Sequence, residues 1–359
     1  MKTNAPGFAG YGDSCTEEIM KKYSILILVL MAFTLLQAEK LAVLEGLIRP
    51  GSIQVNGDRL YIVENPAPPL LIYSMKDYKL IKKFGKPGEG PRELKANAFG
   101  PPMVVNASSE YLLVNSTAKL TYFIRDGVYI KEKKVPSMQL YLEFGDGYIN
   151  STGVVIGKDI FLAVVLADKD FKKGKQLYLS DITVGLNATF NYPNTPFAYS
   201  FPRYKDRLYV SSGKMDFVID VFDTRGTKLY TIKKDYKNVK VTAEYEAKVK
   251  KDMKSDPNFG KFWEYMKKKL SFKSHFPALK TLWADNGRLY AVTHKKKNGK
   301  SECIVMDLKG KEIKRVYLPI EDQSILSSIM YYTFNNNYFY QLVEDEEEEQ
   351  WELHRIKIE

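Results

Sequence analysis

A turn followed by an apolar, aromatic strand recurs along this chain, and the spacing of its copies limits the folds available. The six copies are Gly57–Tyr61, Ser109–Leu112, Lys158–Phe161, Lys205–Tyr209, Asn286–Tyr290 and Asn336–Phe339. Their last residues are separated by 51, 49, 48, 81 and 49 positions. A period of this length indicates an array of supersecondary units, and the one long step indicates an insert of about 32 residues.

Each unit has the pattern of four short strands. The first unit reads as Ser52–Val55, Arg59–Glu64, Leu70–Met75 and Lys79–Phe84, with an Asn-Gly hairpin signal between the first two strands. The 25 Tyr and 19 Phe in 359 residues are typical of a strand-rich chain. A parallel α/β fold would need a helix between successive strands, and the pattern has none. The sequence therefore predicts an all-β fold, a six-bladed β-propeller.

The two ends of the chain are predicted to share one sheet. The sixth unit supplies only three strand signals, the last at Trp351–Ile358. The stretch Lys40–Glu45 precedes the first unit and has no other place in the repeat. We expect it to complete the last blade, because a closed ring leaves no unpaired sheet edge.

The N-terminus has the pattern of a secretory signal. Met20, Lys21 and Lys22 are followed by an apolar run over 23–36 and a small residue, Ala38. We interpret residues 1–19 as an upstream extension, 20–38 as a cleaved signal and 39–359 as the propeller. The interpretation predicts an exported protein, periplasmic or extracellular. The alternative is an anchor through residues 23–36, although this run is shorter than a bilayer span of roughly 20 residues.

The insert falls between blades four and five, at about 242–273, and its periodicity predicts two helices. Thr242 can cap the first, and Asp256-Pro257 can open the second. Apolar residues at helical spacing form one face of each helix. The residues expected to face the propeller are Tyr245, Val249, Met253, Phe259, Trp263, Met266 and Leu270.

Positive charge is concentrated around the same insert. Residues 228–273 hold 14 Lys and 6 acidic residues, a net charge of +8 within a formal total of +11. The lysines expected on the outer surface include Lys250, Lys251, Lys254, Lys267, Lys268 and Lys269. A solvated lysine face is the favoured interpretation, and an anionic partner such as a phospholipid surface or a polysaccharide is the alternative that this local charge suggests. Export and the scarcity of arginine disfavour nucleic acid.

The link after the first unit, Phe84–Leu94, reads FGKPGEGPREL. It resembles the same junction in bacterial six-bladed propellers related to NHL repeats, which carry Phe-Gly, a Gly-rich turn and then Gly-Pro-Gly-Glu-Phe. Here Arg92 replaces the last Gly and Leu94 replaces the Phe. The resemblance implies the propeller fold and export for about residues 40–359. It implies no catalytic residue.

Four residues are candidates for ligand contacts. Arg92 and Glu93 follow the Gly-rich link and are expected near the start of an inner strand. Arg203 stands just before the turn of the fourth unit, and His275 stands where the insert returns to blade five. Propellers bind ligands in a broad funnel built from such loops. We therefore predict that the partner is an unknown protein, polysaccharide or small molecule. We expect the propeller itself to be a monomer.

Chemistry-bearing motifs are sparse. The three His residues are widely separated, and the acidic run 344–349 lacks the Gly turn of a calcium loop. Cys303 lies in an apolar strand and is interpreted as a buried hydrophobic residue. The sequence thus predicts no metal and no cofactor, and it favours a non-catalytic binding or scaffolding propeller. The alternative is a lactonase-like hydrolase or lyase with a metal at the channel mouth, built from inward Asp, Glu, Asn or His residues of distant segments.

Overall fold

A computed structural model of the chain describes residue 1 and residues 38–64, 69–95, 103–137, 139–157, 159–184, 190–193, 201–211, 215–257, 259–322 and 330–358. The chain divides into two units, residues 1–38 and 39–359. The predicted upstream extension and signal segment lie almost entirely outside the described residues. Within the described ranges, no helix combines the length and the apolar character needed to cross a membrane.

The first two blades follow the order of the chain. Strand β1 (Glu39–Val43) comes first, and blade one then consists of β2 (Pro50–Asn56), β3 (Arg59–Glu64), β4 (Leu70–Ser74) and β5 (Leu80–Phe84). The link to blade two holds the short parallel pair β6 (Lys86–Pro87) and β7 (Glu93–Leu94). Blade two consists of β8 (Val104–Ala107), β9 (Tyr111–Ser116), β10 (Lys119–Ile124) and β11 (Tyr129–Lys134).

The next two blades are built in the same way. Blade three consists of β12 (Tyr141–Phe144), β13 (Gly147–Ile156), β14 (Asp159–Ala167) and β15 (Gly174–Val184). The link to blade four contains β16 (Phe190–Tyr192). Blade four consists of β17 (Arg203–Tyr204), β18 (Arg207–Ser211), β19 (Phe217–Phe222) and β20 (Lys228–Lys234).

The helices lie between blades four and five. They are α1 (Ala243–Ser255), a 3₁₀ turn (Gly260–Phe262) and α2 (Trp263–Met266), followed by β21 (Leu270–Phe272). Blade five consists of β22 (Thr281–Asp285), β23 (Arg288–Lys297), β24 (Lys300–Asp307) and β25 (Glu312–Leu318). Blade six uses β26 (Tyr332–Asn335), β27 (Tyr338–Asp345) and β28 (Gln350–Lys357). These six four-stranded sheets confirm the predicted six-bladed β-propeller.

The fourth strand of blade six is β1. It pairs antiparallel with β28, and Glu39 lies opposite Arg355 while Val43 lies opposite Glu352. Leu44 continues the contact, since its backbone N–H donates to the carbonyl oxygen of Trp351 at 2.8 Å. The predicted closure of the ring is confirmed, with the strand starting one residue earlier than the sequence pattern suggested.

Strand direction defines two faces of the propeller. Each blade is an antiparallel meander, so the links between blades and the hairpins between second and third strands lie at one end of the sheets. We call this end the linker face, and we call the opposite end the hairpin face. A parallel bridge between Ser52 and Met330 shows that the first strands of neighbouring blades run in the same direction. The insert leaves β20 and returns to β22, which places it on the linker face.

Apolar side chains fill the spaces between neighbouring blades. Between blades six and one, Leu60, Leu71 and Leu353 are fully buried, and Leu342 is nearly so. Each belongs to a different strand, and alternate residues of these strands point toward the neighbouring blade. Cys303 in β24 is also fully buried, which is the environment of a small hydrophobic residue.

The third copy of the repeat lies one strand later than its pattern predicts. Lys158–Phe161 has the form of a turn leading into a second strand, but Asp159 begins β14, the third strand of blade three. The second strand, β13, begins at Gly147. Strands β13 and β14 are long, with ten and nine residues. The hairpin that joins them therefore lies at the position where the repeat places the turn between the first and second strands of a blade. The number of blades is unaffected.

Candidate functional site

The first helix of the insert forms as its sequence predicts. The Thr242 hydroxyl accepts a hydrogen bond from the backbone N–H of Tyr245 at 3.3 Å, which caps α1. The two chain segments at the base of the insert pair with each other, and the Val241 N–H donates to the Ser274 carbonyl oxygen at 3.0 Å. The insert therefore leaves and re-enters the linker face at one point, where its two ends pair with each other.

The predicted second helix is much shorter than expected. Asp256 accepts the Phe259 N–H at 2.9 Å and starts a turn, but only one 3₁₀ turn and the four residues of α2 follow. Gly260 lies against the carbonyl oxygen of Lys254, in a space that has no room for a Cβ. The chain folds back tightly on the end of α1 at this point, which prevents a longer helix.

One side of the insert forms a small apolar core. Val249 and Met253 of α1 and Met266 of α2 are buried, and Trp263 packs against them. The neighbouring link contributes Tyr192, because β21 pairs in parallel with β16. The predicted inward positions of these residues of α1 and α2 are thus confirmed.

The predicted inward position of Phe259 is wrong. Its side chain is 37% exposed, and Phe262 and Tyr265 are 61% and 46% exposed. These three residues recur every third position and leave the apolar core to Trp263 and Met266. We call Phe259, Phe262 and Tyr265 the outward aromatic stripe.

The lysines predicted to lie on the outer surface are exposed except for Lys269, which is partly buried. Lys250 pairs with Glu246 at 3.8 Å, and Lys267 pairs with Glu264 at 2.5 Å. Lys251, Lys254 and Lys268 have no ion pair among the described residues, and Lys269 lies over the ring of Tyr265. Glu264 has a lowered pKa because of its hydrogen bond with Lys267 and the positive charges of nearby lysines. Its environment indicates a locally positive surface.

Aromatic stacking attaches the insert to blade five. Tyr245 of α1 packs edge-on against Phe276 with 4.7 Å between ring centroids, and Phe276 stacks on His294 of β23 at 4.5 Å. The Nε2 atom of His294 is buried and has no hydrogen-bond partner among the described residues. Burial lowers the pKa of His294 to about 3, with a further contribution from Lys280.

We expect this histidine to make the protein less stable in mild acid. The pKa of His294 in the folded state lies below the unfolded value of about 6.5. Between these two pKa values the imidazole is protonated in the unfolded state and neutral in the folded state. The free energy of unfolding should fall by about 2 kcal/mol between about pH 6.5 and 4.5, and continue to fall toward about pH 3. Urea unfolding across this range measures the slope.

The matched variant is His294→Phe, which keeps a ring against Phe276 and removes the titrating group. The charged groups near this ring are Lys280, Lys296 and Asp322. Two lysine ion pairs overcome the effect of burial and lower the pKa of Asp322 to about 2, below this pH range. We expect a shallower pH slope in His294→Phe than in the parent. Equal slopes would assign the acid sensitivity to other groups.

Arg92 lies at the rim of the linker face. Its guanidinium lies over the ring of Tyr129 at 4.7 Å, and its backbone N–H donates to Glu132 at 3.0 Å. Both partners belong to β11, the outer strand of blade two. The expectation that Arg92 lies near the start of an inner strand is wrong, because the link continues for several residues before β8 begins at Val104.

Glu93 holds the Gly-rich link in its folded form. Its carboxylate accepts hydrogen bonds from Lys86 Nζ at 2.7 Å and from the Gly90 N–H at 2.9 Å, and the Lys86 contact lowers its pKa. Gly88, at a φ of +146°, lies directly against this carboxylate. Any added side chain at Gly88 would displace it. The loop is a tight crossover between blades.

His275 belongs to the base of the insert. It forms an antiparallel bridge with Lys240, and its Nδ1 atom lies 3.0 Å from the hydroxyl of Ser274. Neither contact belongs to an inner strand. The structure thus does not bring His275 together with Arg92 or Glu93, and ligand binding by any of the predicted residues remains a prediction.

Arg203 is the predicted residue that lies on an inner strand. Its Nη2 atom donates to Asn106 Oδ1 at 2.9 Å, which joins β17 of blade four to β8 of blade two. Its Nη1 atom is buried without a hydrogen-bond partner among the described residues. Burial lowers the pKa of Arg203 to about 10, and the charge of nearby Glu143 opposes this shift.

Sequence reasoning missed the carboxylate beside Arg203. Glu143 on β12 accepts hydrogen bonds from the hydroxyls of Tyr111 and Tyr122, the second at 2.9 Å. Burial, together with hydrogen bonds to Tyr148 and Glu143, raises the pKa of the Tyr122 hydroxyl. These tyrosines therefore act as neutral donors to an interblade carboxylate. No periodic signal identifies such a group, because its partners come from separate blades.

The hairpin face carries an open cavity of about 480 Å³ between blades three and four. Its lining includes Asp146, Asp168, Lys169, Lys173, Lys175 and Arg225. Backbone N–H groups of the same turn already satisfy Asp168. In the part of the chain that the structure describes, no three His, Cys, Asp or Glu residues are placed to hold a metal ion.

Comparison with known proteins supports the fold. No protein-family model matches the chain, and no curated protein matches it. A candidate exported protein of Bacteroides fragilis aligns with a TM-score of 0.51 and 11% identity, over 89% of this chain and 93% of that one. A DUF4221 family member from Bacteroides vulgatus aligns over 89% of this chain and 98% of its own, with 14% identity and a TM-score of 0.46. At such identities the first likeness shows the propeller fold alone, and the relation to NHL repeats stays a prediction.

Proposed function

We propose that this protein is an exported, non-catalytic binding propeller that captures an anionic partner through the insert on its linker face. The observation that carries the proposal is the outward lysine surface of the insert. A rigid propeller supports this surface, and the insert has its own apolar core and a closed base. The surface is therefore presented in a fixed position rather than on a loose loop.

Several of these lysines are available to a partner. Lys251, Lys254 and Lys268 are exposed, and none has an ion pair among the described residues. Exposed lysines keep their hydration, so no desolvation energy opposes their charge. A concentrated set of positive charges attracts negatively charged groups over roughly 10 Å at moderate salt. Binding through such a set should be fast to form and sensitive to salt.

The test is retention on a dextran sulfate resin under a salt gradient. Replacing Lys251, Lys254 and Lys268 together by Gln should lower the salt concentration of elution and weaken binding at low salt by about tenfold or more. The control replaces Lys205, Lys309 and Lys311 by Gln, which removes the same charge from exposed turns of the hairpin face. We expect the control to elute close to the parent. Equal elution of the two triple variants would contradict the proposal.

A further inference from the structure

The outward aromatic stripe has the features of a surface that enters an apolar phase. Phe262, the most exposed of its members, lies at the end of the 3₁₀ turn, and Phe259 and Tyr265 lie three positions to either side. The apolar core of the insert is already formed by other side chains, including Trp263 and Met266. Helical periodicity thus gives this short segment two apolar faces, one inward and one outward.

Exposure of several large apolar groups in one short segment is unusual for a surface that meets only water. Single exposed apolar residues are ordinary, whereas a cluster rimmed by polar groups marks an interaction site. Two phenylalanines and a tyrosine within seven positions form such a cluster. Burying one such ring removes enough apolar surface from water to change binding by about tenfold.

Lysines surround the stripe. Lys261 lies within it and is exposed, and Lys254 at the end of α1 and Lys268 after α2 flank it. Lys269 lies over the ring of Tyr265 at 4.5 Å. Positive charges beside exposed aromatic side chains form the pattern of a segment that lies in the interface of a membrane, where charges meet headgroups and rings reach the acyl boundary.

We infer that the insert docks on an anionic phospholipid bilayer, with Phe259, Phe262 and Tyr265 entering the interface and the surrounding lysines contacting phosphate headgroups. This inference rests on the proposed function and names its partner. A polysaccharide offers charge without an apolar phase, so it would leave the rings in water. A bilayer accommodates both, because its anionic headgroups attract the lysines and its acyl boundary receives the rings.

The experiment compares vesicles of phosphatidylcholine with vesicles that contain equal amounts of phosphatidylcholine and phosphatidylglycerol. The parent protein should float with the anionic vesicles and bind the neutral ones much less. The variant Phe259→Ala with Phe262→Ala should lose about tenfold or more of its partition into anionic vesicles. It should still elute from dextran sulfate like the parent, because its lysines are intact.

The control variant is Leu229→Ala with Ile313→Ala. These side chains are 42% and 45% exposed on the outer strands β20 and β25, away from the insert. We expect their loss to leave vesicle binding unchanged. A further variant, Phe262→Trp, should show a shift of tryptophan emission to shorter wavelength on addition of anionic vesicles, since the ring moves out of water.

The outcomes separate the two proposals. If the phenylalanine variant binds vesicles like the parent, or if the parent binds dextran sulfate but not anionic vesicles, the bilayer inference is wrong and the proposed function stands. If the two triple lysine variants elute alike from dextran sulfate, the proposed function is wrong. Loss of vesicle binding in the phenylalanine variant with unchanged resin elution supports both.

Discussion

Removing the five residues of β1 is expected to lower the free energy of unfolding by about 4 kcal/mol or more. The deletion removes one of the two strands that pair with β28, from the Glu39–Arg355 pair to the Val43–Glu352 pair. It leaves an unpaired edge beside Leu353, which is fully buried in the closed ring. Urea unfolding of a protein that starts at Leu44, compared with one that starts at Glu39, measures the loss.

The control for this deletion keeps the strand and removes its charges. Glu39 pairs with Arg355 at 2.7 Å, and Lys40 pairs with Glu352. Glu39→Gln with Lys40→Gln should cost about 1 kcal/mol, well below the deletion, because water screens the Glu39–Arg355 pair, and Glu352, which is 8% exposed, keeps its hydrogen bond with His354. If the deletion and the double variant were equally stable, backbone pairing would not be what closes the ring.

Replacing Glu302 by Ala is expected to cost about 3 kcal/mol. Glu302 on β24 is 1% exposed, and its carboxylate accepts hydrogen bonds from Thr293 at 2.9 Å, Arg315 at 3.0 Å and Tyr236 at 3.1 Å. Its removal would leave the fully buried Thr293 hydroxyl without this acceptor. Thermal or urea unfolding is the measurement.

Arg315 provides a matched comparison, because it also pairs with Glu312 at 2.9 Å. That carboxylate is 35% exposed, so water can replace it when it is removed. We expect Glu312→Ala to cost about 0.5 kcal/mol. A cost for Glu302→Ala as small as that for Glu312→Ala would show that the buried network adds little to stability.

The architecture could be predicted because its signal is repeated. Turn and strand residues recur in every blade, and one misplaced copy, Lys158–Phe161, did not alter the number of units. The closing strand could also be predicted, since the chain offered one unassigned strand for one vacant place in blade six. Repetition makes such an inference robust against a local error.

The details of the surface were harder to predict. Phe259 and Trp263 both fit a helical stripe, but the tight approach of Gly260 to Lys254 shortens the helix and directs them to opposite sides. A spacing of three over Phe259, Phe262 and Tyr265 is present in the sequence and marks a second stripe. Periodicity alone does not decide which of the two stripes packs against the apolar core and which stays exposed.

The surroundings of Arg203 could not be predicted from local pattern. Asn106 and Glu143 lie 97 and 60 positions earlier in the chain and reach Arg203 only after blades two, three and four have assembled. No local spacing encodes a contact of this kind. Arg92 illustrates the converse, because a residue beside a recognisable loop proved to pack on the outer strand of blade two.

The pairing of β1 with β28 has a consequence for the order of synthesis. Lys40 and its partner Glu352 are 312 positions apart, so β1 is translated long before β28, the strand with which it pairs. Until then one sheet lacks a strand and presents a bare edge to other chains, the state in which strand-rich proteins aggregate. The closing contact also has a large loop-closure entropy, which makes it slow to form. Ring closure therefore depends on translation of the final blade, because β1 can take its place only once β28 has been made.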